Sequence, residues 1–160
     1  MKKMICVLIA LVFSFGLFTP TSNAASDTKT GQITSTKYDP TGGVKSVNTI
    51  YFEIKEIKGD EYYAIKKITG KVTVLEGLYR VNKITVKYAQ IGVYNGIGHK
   101  EQTATNYPSL KTMSYTITPD KKWKPVRRNW ALVGNNVTVD IQRGGSKWQL
   151  KQKNNVVETL

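Results

Sequence analysis

From Val47 onward the chain alternates. Ile50, Phe52 and Ile54 stand at every second position, between Thr49, Tyr51, Glu53 and Lys55. This is the period of a strand with one dry and one wet face. Lys58-Gly59-Asp60 reads as a turn. Glu61 to Thr69 carries a second strand that Gly70 closes, and Lys71 to Leu75 a short β-branched one. Lys83 to Tyr94 starts with Ile84, Val86 and Tyr88 on one face. Its apolar phase then slips to Ala89, Ile91 and Val93. A one-residue slip turns the apolar set to the opposite face, so either a bulge near Tyr88 or a strand buried on both faces is expected. Asn95-Gly96 is a turn signal. Ile97 to Leu110 has little periodicity, holds Gly98, His99 and Pro108, and reads as a long loop. Thr112 to Thr118 is expected to be a strand with Met113, Tyr115 and Ile117 inward, ended by Pro119-Asp120. Val126 to Val133 is another, with Trp130 in the core because Leu132 continues its face.

The last hairpin is the most specific expectation. Val137, Val139 and Ile141 alternate with Thr138, Asp140 and Gln142. After Gly144-Gly145, Trp148 and Leu150 alternate with Lys147, Gln149 and Lys151. A two-residue turn leaves a single register. Arg143 then faces Ser146, Ile141 faces Trp148, Val139 faces Leu150 and Asp140 faces Gln149. Trp148 is expected to be buried, with Lys147 and Lys151 outward.

No stretch beyond residue 24 offers an apolar stripe at helical spacing over three turns, and no repeat recurs at solenoid spacing. Short strands with turn signals between them predict an all-β fold: a single antiparallel β-sandwich, with a small closed β-barrel as the alternative. The sandwich is placed at residues 46–160. Residues 25–45 are rich in Ser, Thr, Lys, Asp and Gly with few apolar positions, and read as a flexible polar leader.

Residues 1–24 have the order of a secretory signal peptide: Lys2 and Lys3, the apolar run Met4 to Phe18, the breaker Pro20, and small residues at Ser22 and Ala24. The run is shorter than the roughly 20 residues that span a bilayer, so no transmembrane segment is expected after cleavage. Cys6 is the single cysteine and lies within this run. The secreted remainder is expected to have no disulfide and no thiolate metal site. The whole chain carries a net charge of +13; without Lys2 and Lys3 it has 22 basic and 11 acidic side chains, a net of +11. Such an imbalance attracts polyanions, or serves a protein that crosses a polyanionic wall.

Groups for catalysis are scarce. His99 is the one histidine, beside Lys100 and Glu101. A general base there is conceivable, but no nucleophile motif accompanies it. Neither Glu53 with Glu56 nor Asp60 with Glu61 has the spacing of a paired-carboxylate site. No calcium loop, phosphate loop or dinucleotide fingerprint is present, and no cofactor is expected. The most distinctive stretch is Lys121 to Trp130, with five cations and two tryptophans. Lys121, Lys122, Trp123, Lys124, Arg127 and Arg128 are the candidate polyanion-binding residues, because cations contact phosphates and an exposed indole stacks on bases or sugars. The bland alternative is a solvated connection between strands. A tyrosine-bearing sheet face with lysines between is a further plausible ligand surface, for instance for carbohydrate.

In architecture the whole resembles small secreted proteins of Gram-positive bacteria: a short Lys-Lys signal, a polar leader and one disulfide-free β domain. That resemblance implies no activity. The functional expectation is a secreted basic protein, non-enzymatic, bound to an anionic cell-wall polymer or other polyanion and carrying no dedicated nucleic-acid motif. The alternatives are an antimicrobial or toxin-like protein acting on membranes, and a small hydrolase using His99.

Overall fold

The computed structural model describes residues 28–94 and 98–159. The expected signal peptide and the expected turn at Asn95-Gly96 lie outside them. The described chain is all-β. Its nine strands are β1 (Thr28–Tyr38), β2 (Val44–Ile57), β3 (Asp60–Val74), β4 (Tyr79–Val93), β5 (His99–Asn106), β6 (Ser114–Ile117), β7 (Val126–Arg127), β8 (Ala131–Arg143) and β9 (Ser146–Glu158). They form two antiparallel sheets with no closed barrel, a sandwich-like arrangement. One sheet runs β1-β2-β3-β6, with β7 also paired to β3. The other runs β5-β4-β8-β9.

The leader expected over residues 25–45 is corrected from Thr28 onward. Thr28–Tyr38 pairs along its length with Lys45–Lys55. Side-chain hydropathy does not mark β1, because it is an edge strand held by backbone pairing. Its inward positions Gly31, Ile33 and Ser35 are only half-buried. Gly70 does not close a strand either: β3 runs through it. A Cβ there would come within 2.2 Å of the Tyr115 ring, so the missing side chain makes room for that ring. Part of the expected loop, His99–Asn106, is the edge strand β5.

The hairpin register is as derived. Ile141 faces Trp148, Val139 faces Leu150, Asp140 faces Gln149 and Arg143 faces Ser146. Lys147 and Lys151 are exposed as expected, but Trp148, expected to be buried, is only half-buried: its indole sits against the Tyr79 ring with Nε1 donating to Asp39 Oδ2 at the β1–β2 turn. Aliphatic side chains from both sheets meet between them, among them Val44, Ile50, Ile68 and Val72 from the first and Ile84, Val86, Val139, Ile141 and Leu150 from the second. Each such side chain contributes on the order of 1.5–3 kcal/mol by leaving water.

The phase slip expected in β4 does not occur. Ile84, Val86, Tyr88, Gln90 and Gly92 continue one inward face, and the bulge sits at Val81/Lys83 instead. Gln90 is a polar residue at an inward position, buried to 1 % exposure, so the apolar pattern breaks there although the face does not change. It has counterparts in Ser46, Asn48, Asn135, Gln152 and Asn154, all buried. Three of the amides, Gln90, Gln152 and Asn154, hydrogen-bond to backbone groups of the opposite sheet. Along β1 and β9, Gln152 Nε2 donates to Ser35 O at 2.8 Å and Asn154 Nδ2 to Ile33 O at 3.3 Å. At the far edge, Gln90 Oε1 accepts from Ile65 N at 2.8 Å. Ile65 lies between the stretch of β3 paired to β7 and the stretch paired to β6.

Candidate functional site

Between β6 and β7, residues 118–125 leave the first sheet, touch the second and return. Asp120 builds the turn: its Oδ1 accepts from Lys122 N at 2.8 Å and its carbonyl from Trp123 N at 2.9 Å. Gln102 of β5 then grips the backbone of Lys124. Its Oε1 accepts from Lys124 N, and its Nε2 donates to Lys124 O at 2.8 Å. Gln90 Nε2 donates to the same carbonyl. Trp123 lies half-buried against Tyr88, ring centroids 5.3 Å apart. Burial of the Tyr88 hydroxyl, helped by the charge of Asp120, raises its pKa. Trp123 therefore packs on the sandwich edge. The ammonium-bearing side chains of Lys121, Lys122 and Lys124 are exposed. Among the described residues no carboxylate lies within ion-pair distance of them.

Arg127 and Arg128 belong to a different place. β7 pairs with β3 so that Arg127 is opposite Tyr62, which brings both arginines to the turn between β2 and β3. Arg127 Nη2 lies 2.6 Å from Asp60 Oδ1, and Arg128 Nη1 lies 2.9 Å from Glu61 Oε2. The candidate cations thus split into three lysines on the crossing segment, with no acid partner among the described residues, and two arginines each neutralised by an acid. A shallow depression of about 230 Å³ is lined by Gly59, Asp60, Glu61, Arg127, Arg128 and Asn129. No family model, no curated protein and no solved structure matches this chain. Chemistry alone assigns its surfaces.

Trp130 is corrected outright. It is 70 % exposed, with φ at 69°. The inward residues of β8 are Ala131, Val133, Asn135 and Val137, so Leu132 and its face point outward. Residues 128–130 are a turn, so the face of Trp130 does not follow from β8. No local pattern pairs Asp60 and Glu61 with arginines 67 residues later, because the register of β7 on β3 is a tertiary fact.

His99 is exposed at the start of β5, its Nε2 3.8 Å from Glu101 Oε1. Among the described residues, no group of three or more His, Asp or Glu could hold a metal, and no helix is long and apolar enough to cross a membrane. Of the tyrosines, Tyr62, Tyr63, Tyr79 and Tyr115 are buried. Tyr51 faces outward, with Lys67 Nζ 4.3 Å from its ring centre. The outer face of the second sheet is basic. Strand registers place Thr105, Lys87, Asn136 and Lys153 in one cross-sheet row, beside a depression of about 440 Å³. Single-strand periodicity shows which of these side chains face water, but not that they share a row.

Proposed function

We propose that this chain is a secreted, non-enzymatic protein that binds anionic polymers of the cell envelope. The observation that carries the reading is the crossing segment. Lys121, Lys122 and Lys124 are exposed and without acid partners among the described residues, while Gln90, Gln102 and Asp120 hold the backbone beneath them. Cations on a pinned backbone contact a polyanion with little ordering of the chain. The basic outer face of the second sheet extends the positive field, and the +11 balance beyond residue 24 supplies long-range attraction. Arg127 and Arg128 contribute less than their number suggests, because Asp60 and Glu61 neutralise them.

Retention of the purified protein on wall polymer, heparin and DNA across a salt gradient tests the reading. Retention that falls steeply with salt is the expected result. No retention at low salt, or retention indifferent to salt, rejects it.

A further inference from the structure

Trp130 combines a large exposed apolar surface with a left-handed backbone, φ 69°. Residues with a Cβ adopt that conformation at a cost, and such outliers persist where the surroundings enforce them. Here the enforcement is visible. Thr159 Oγ1 donates to Arg128 O at 2.6 Å and accepts from Ala131 N at 3.0 Å, and Thr159 N donates to Ala131 O at 2.8 Å. Arg128 N donates to Glu61 O at 2.8 Å. Underneath, the carbonyl of Trp130 lies so close to Gly92 that a Cβ there would be 2.7 Å from it. The fold therefore holds the turn rigid while leaving the indole in water.

The residue before Trp130 is Asn129, which lines the depression with Asp60, Glu61, Arg127 and Arg128. Two guanidinium groups and two carboxylates cancel in charge there and still present fixed donors and acceptors. A polyanion or an anionic membrane gains little from a neutral surface. A hydroxyl-rich neutral ligand hydrogen-bonds to both members of each pair, and the C–H face of a sugar ring packs on an indole. At about 230 Å³ the depression is smaller than the roughly 300–1,000 Å³ of an enclosing pocket. It suits the end or edge of a chain. We propose that the Asn129-Trp130 turn, with Asp60, Glu61, Arg127 and Arg128, is a binding site for a neutral oligosaccharide, separate from the lysines of the crossing segment.

The probes are chitotetraose, cellotetraose, maltotetraose and mannotetraose, titrated into the purified protein by calorimetry and by following the Trp130 indole N–H resonance. At least one is expected to bind saturably, with Kd between roughly micromolar and millimolar, and to shift that resonance. Trp130→Ala should weaken binding by about tenfold or more. Trp130→Gly relieves the backbone and should melt no lower than the parent, yet lose binding equally, which separates recognition from folding. Glu61→Gln should weaken binding several-fold. Raising salt to about 0.5 M should change affinity by less than about twofold, since no net charge is involved. The proposal is overturned if none of the four sugars binds, or if both Trp130 variants bind like the parent. Affinity that falls steeply with salt also overturns it. None of these results bears on polyanion retention, which is measured separately.

Discussion

Asn48 of β2 and Asn135 of β8 face each other between the two sheets and exchange amide hydrogen bonds, Nδ2 to Oδ1, at 2.8 and 3.0 Å. Tyr115 OH donates to Asn48 Oδ1 at 3.1 Å, and Asn154 Nδ2 donates to Asn48 O at 3.2 Å. Burial pushes the Tyr115 hydroxyl well above its ordinary pKa, so it stays a donor. Satisfied networks of this kind fix one alignment of the sheets, and half-satisfied ones are costly. Asn135→Ala leaves the Asn48 amide short of partners and should cost about 1–3 kcal/mol. Replacing both asparagines by Leu should cost less than the sum of Asn48→Leu and Asn135→Leu, because each single change strands the other amide, whereas the Tyr115 hydroxyl loses its acceptor whenever Asn48 is replaced. Urea unfolding of the four proteins completes the double-mutant cycle.

Asp39 organises the β1–β2 turn. Its Oδ1 accepts from Val44 N at 2.7 Å, and its Oδ2 from Thr41 N at 3.2 Å, Thr41 Oγ1 at 2.5 Å and Trp148 Nε1 at 3.2 Å. Burial alone would push the carboxyl up, but the donors outweigh it and the pKa lies below the ordinary 3.8. A depressed carboxylate contributes stability above its unfolded pKa and loses it as pH falls through the folded value. Asp39→Asn should therefore be less stable than the parent at pH 7, by about 1–3 kcal/mol. The gap should narrow below about pH 4. Chemical denaturation of both proteins at neutral and acid pH measures this; a gap independent of pH removes the carboxylate from the account.

Gly70 and Gly145 make opposite predictions. A Cβ on Gly70 meets the Tyr115 ring tip at 2.2 Å, whereas one on Gly145 meets nothing within 4 Å. Gly70→Ala should destabilise by about 1–3 kcal/mol through overpacking, and by displacing Tyr115 from Asn48. Gly145→Ala should stay within about 0.5 kcal/mol. Thermal melts of the two variants decide the comparison.

Trp130→Gly should be at least as stable as the parent. Removing the left-handed cost of about 1–2 kcal/mol outweighs the roughly 0.4–1 kcal/mol of added unfolded-state freedom. A clear drop in Tm would mean that the indole contributes to packing.

For polyanion binding, removing Lys121, Lys122 and Lys124 together should lower the slope of log affinity against log salt on duplex DNA by about 2–3, at about 0.9 per lost phosphate contact. Removing Lys37, Lys58 and Lys111, exposed elsewhere, takes away the same charge and should lower it by less than about 1. Equal losses would show that net charge alone governs binding.

The sequence by itself determined the all-β character of the chain, the register of the final hairpin, and the turn at Lys58-Gly59. These follow from period-two patterning and local turn chemistry, which involve neighbours in the chain. Tertiary structure decided what depends on distant partners. Gln90 looked like the end of an apolar phase because its reason for facing inward, Ile65 N and Lys124 O, lies 25 and 34 residues away. Thr28–Tyr38 looked like a leader because an edge strand draws on backbone hydrogen bonds that side-chain hydropathy does not record. The basic run from Lys121 to Arg128 looked like one patch. The pairing of β7 with β3 divides it, since two residues of strand suffice to carry Arg127 to Asp60 and Arg128 toward Glu61, while Gln102 keeps Lys124 at the opposite sheet.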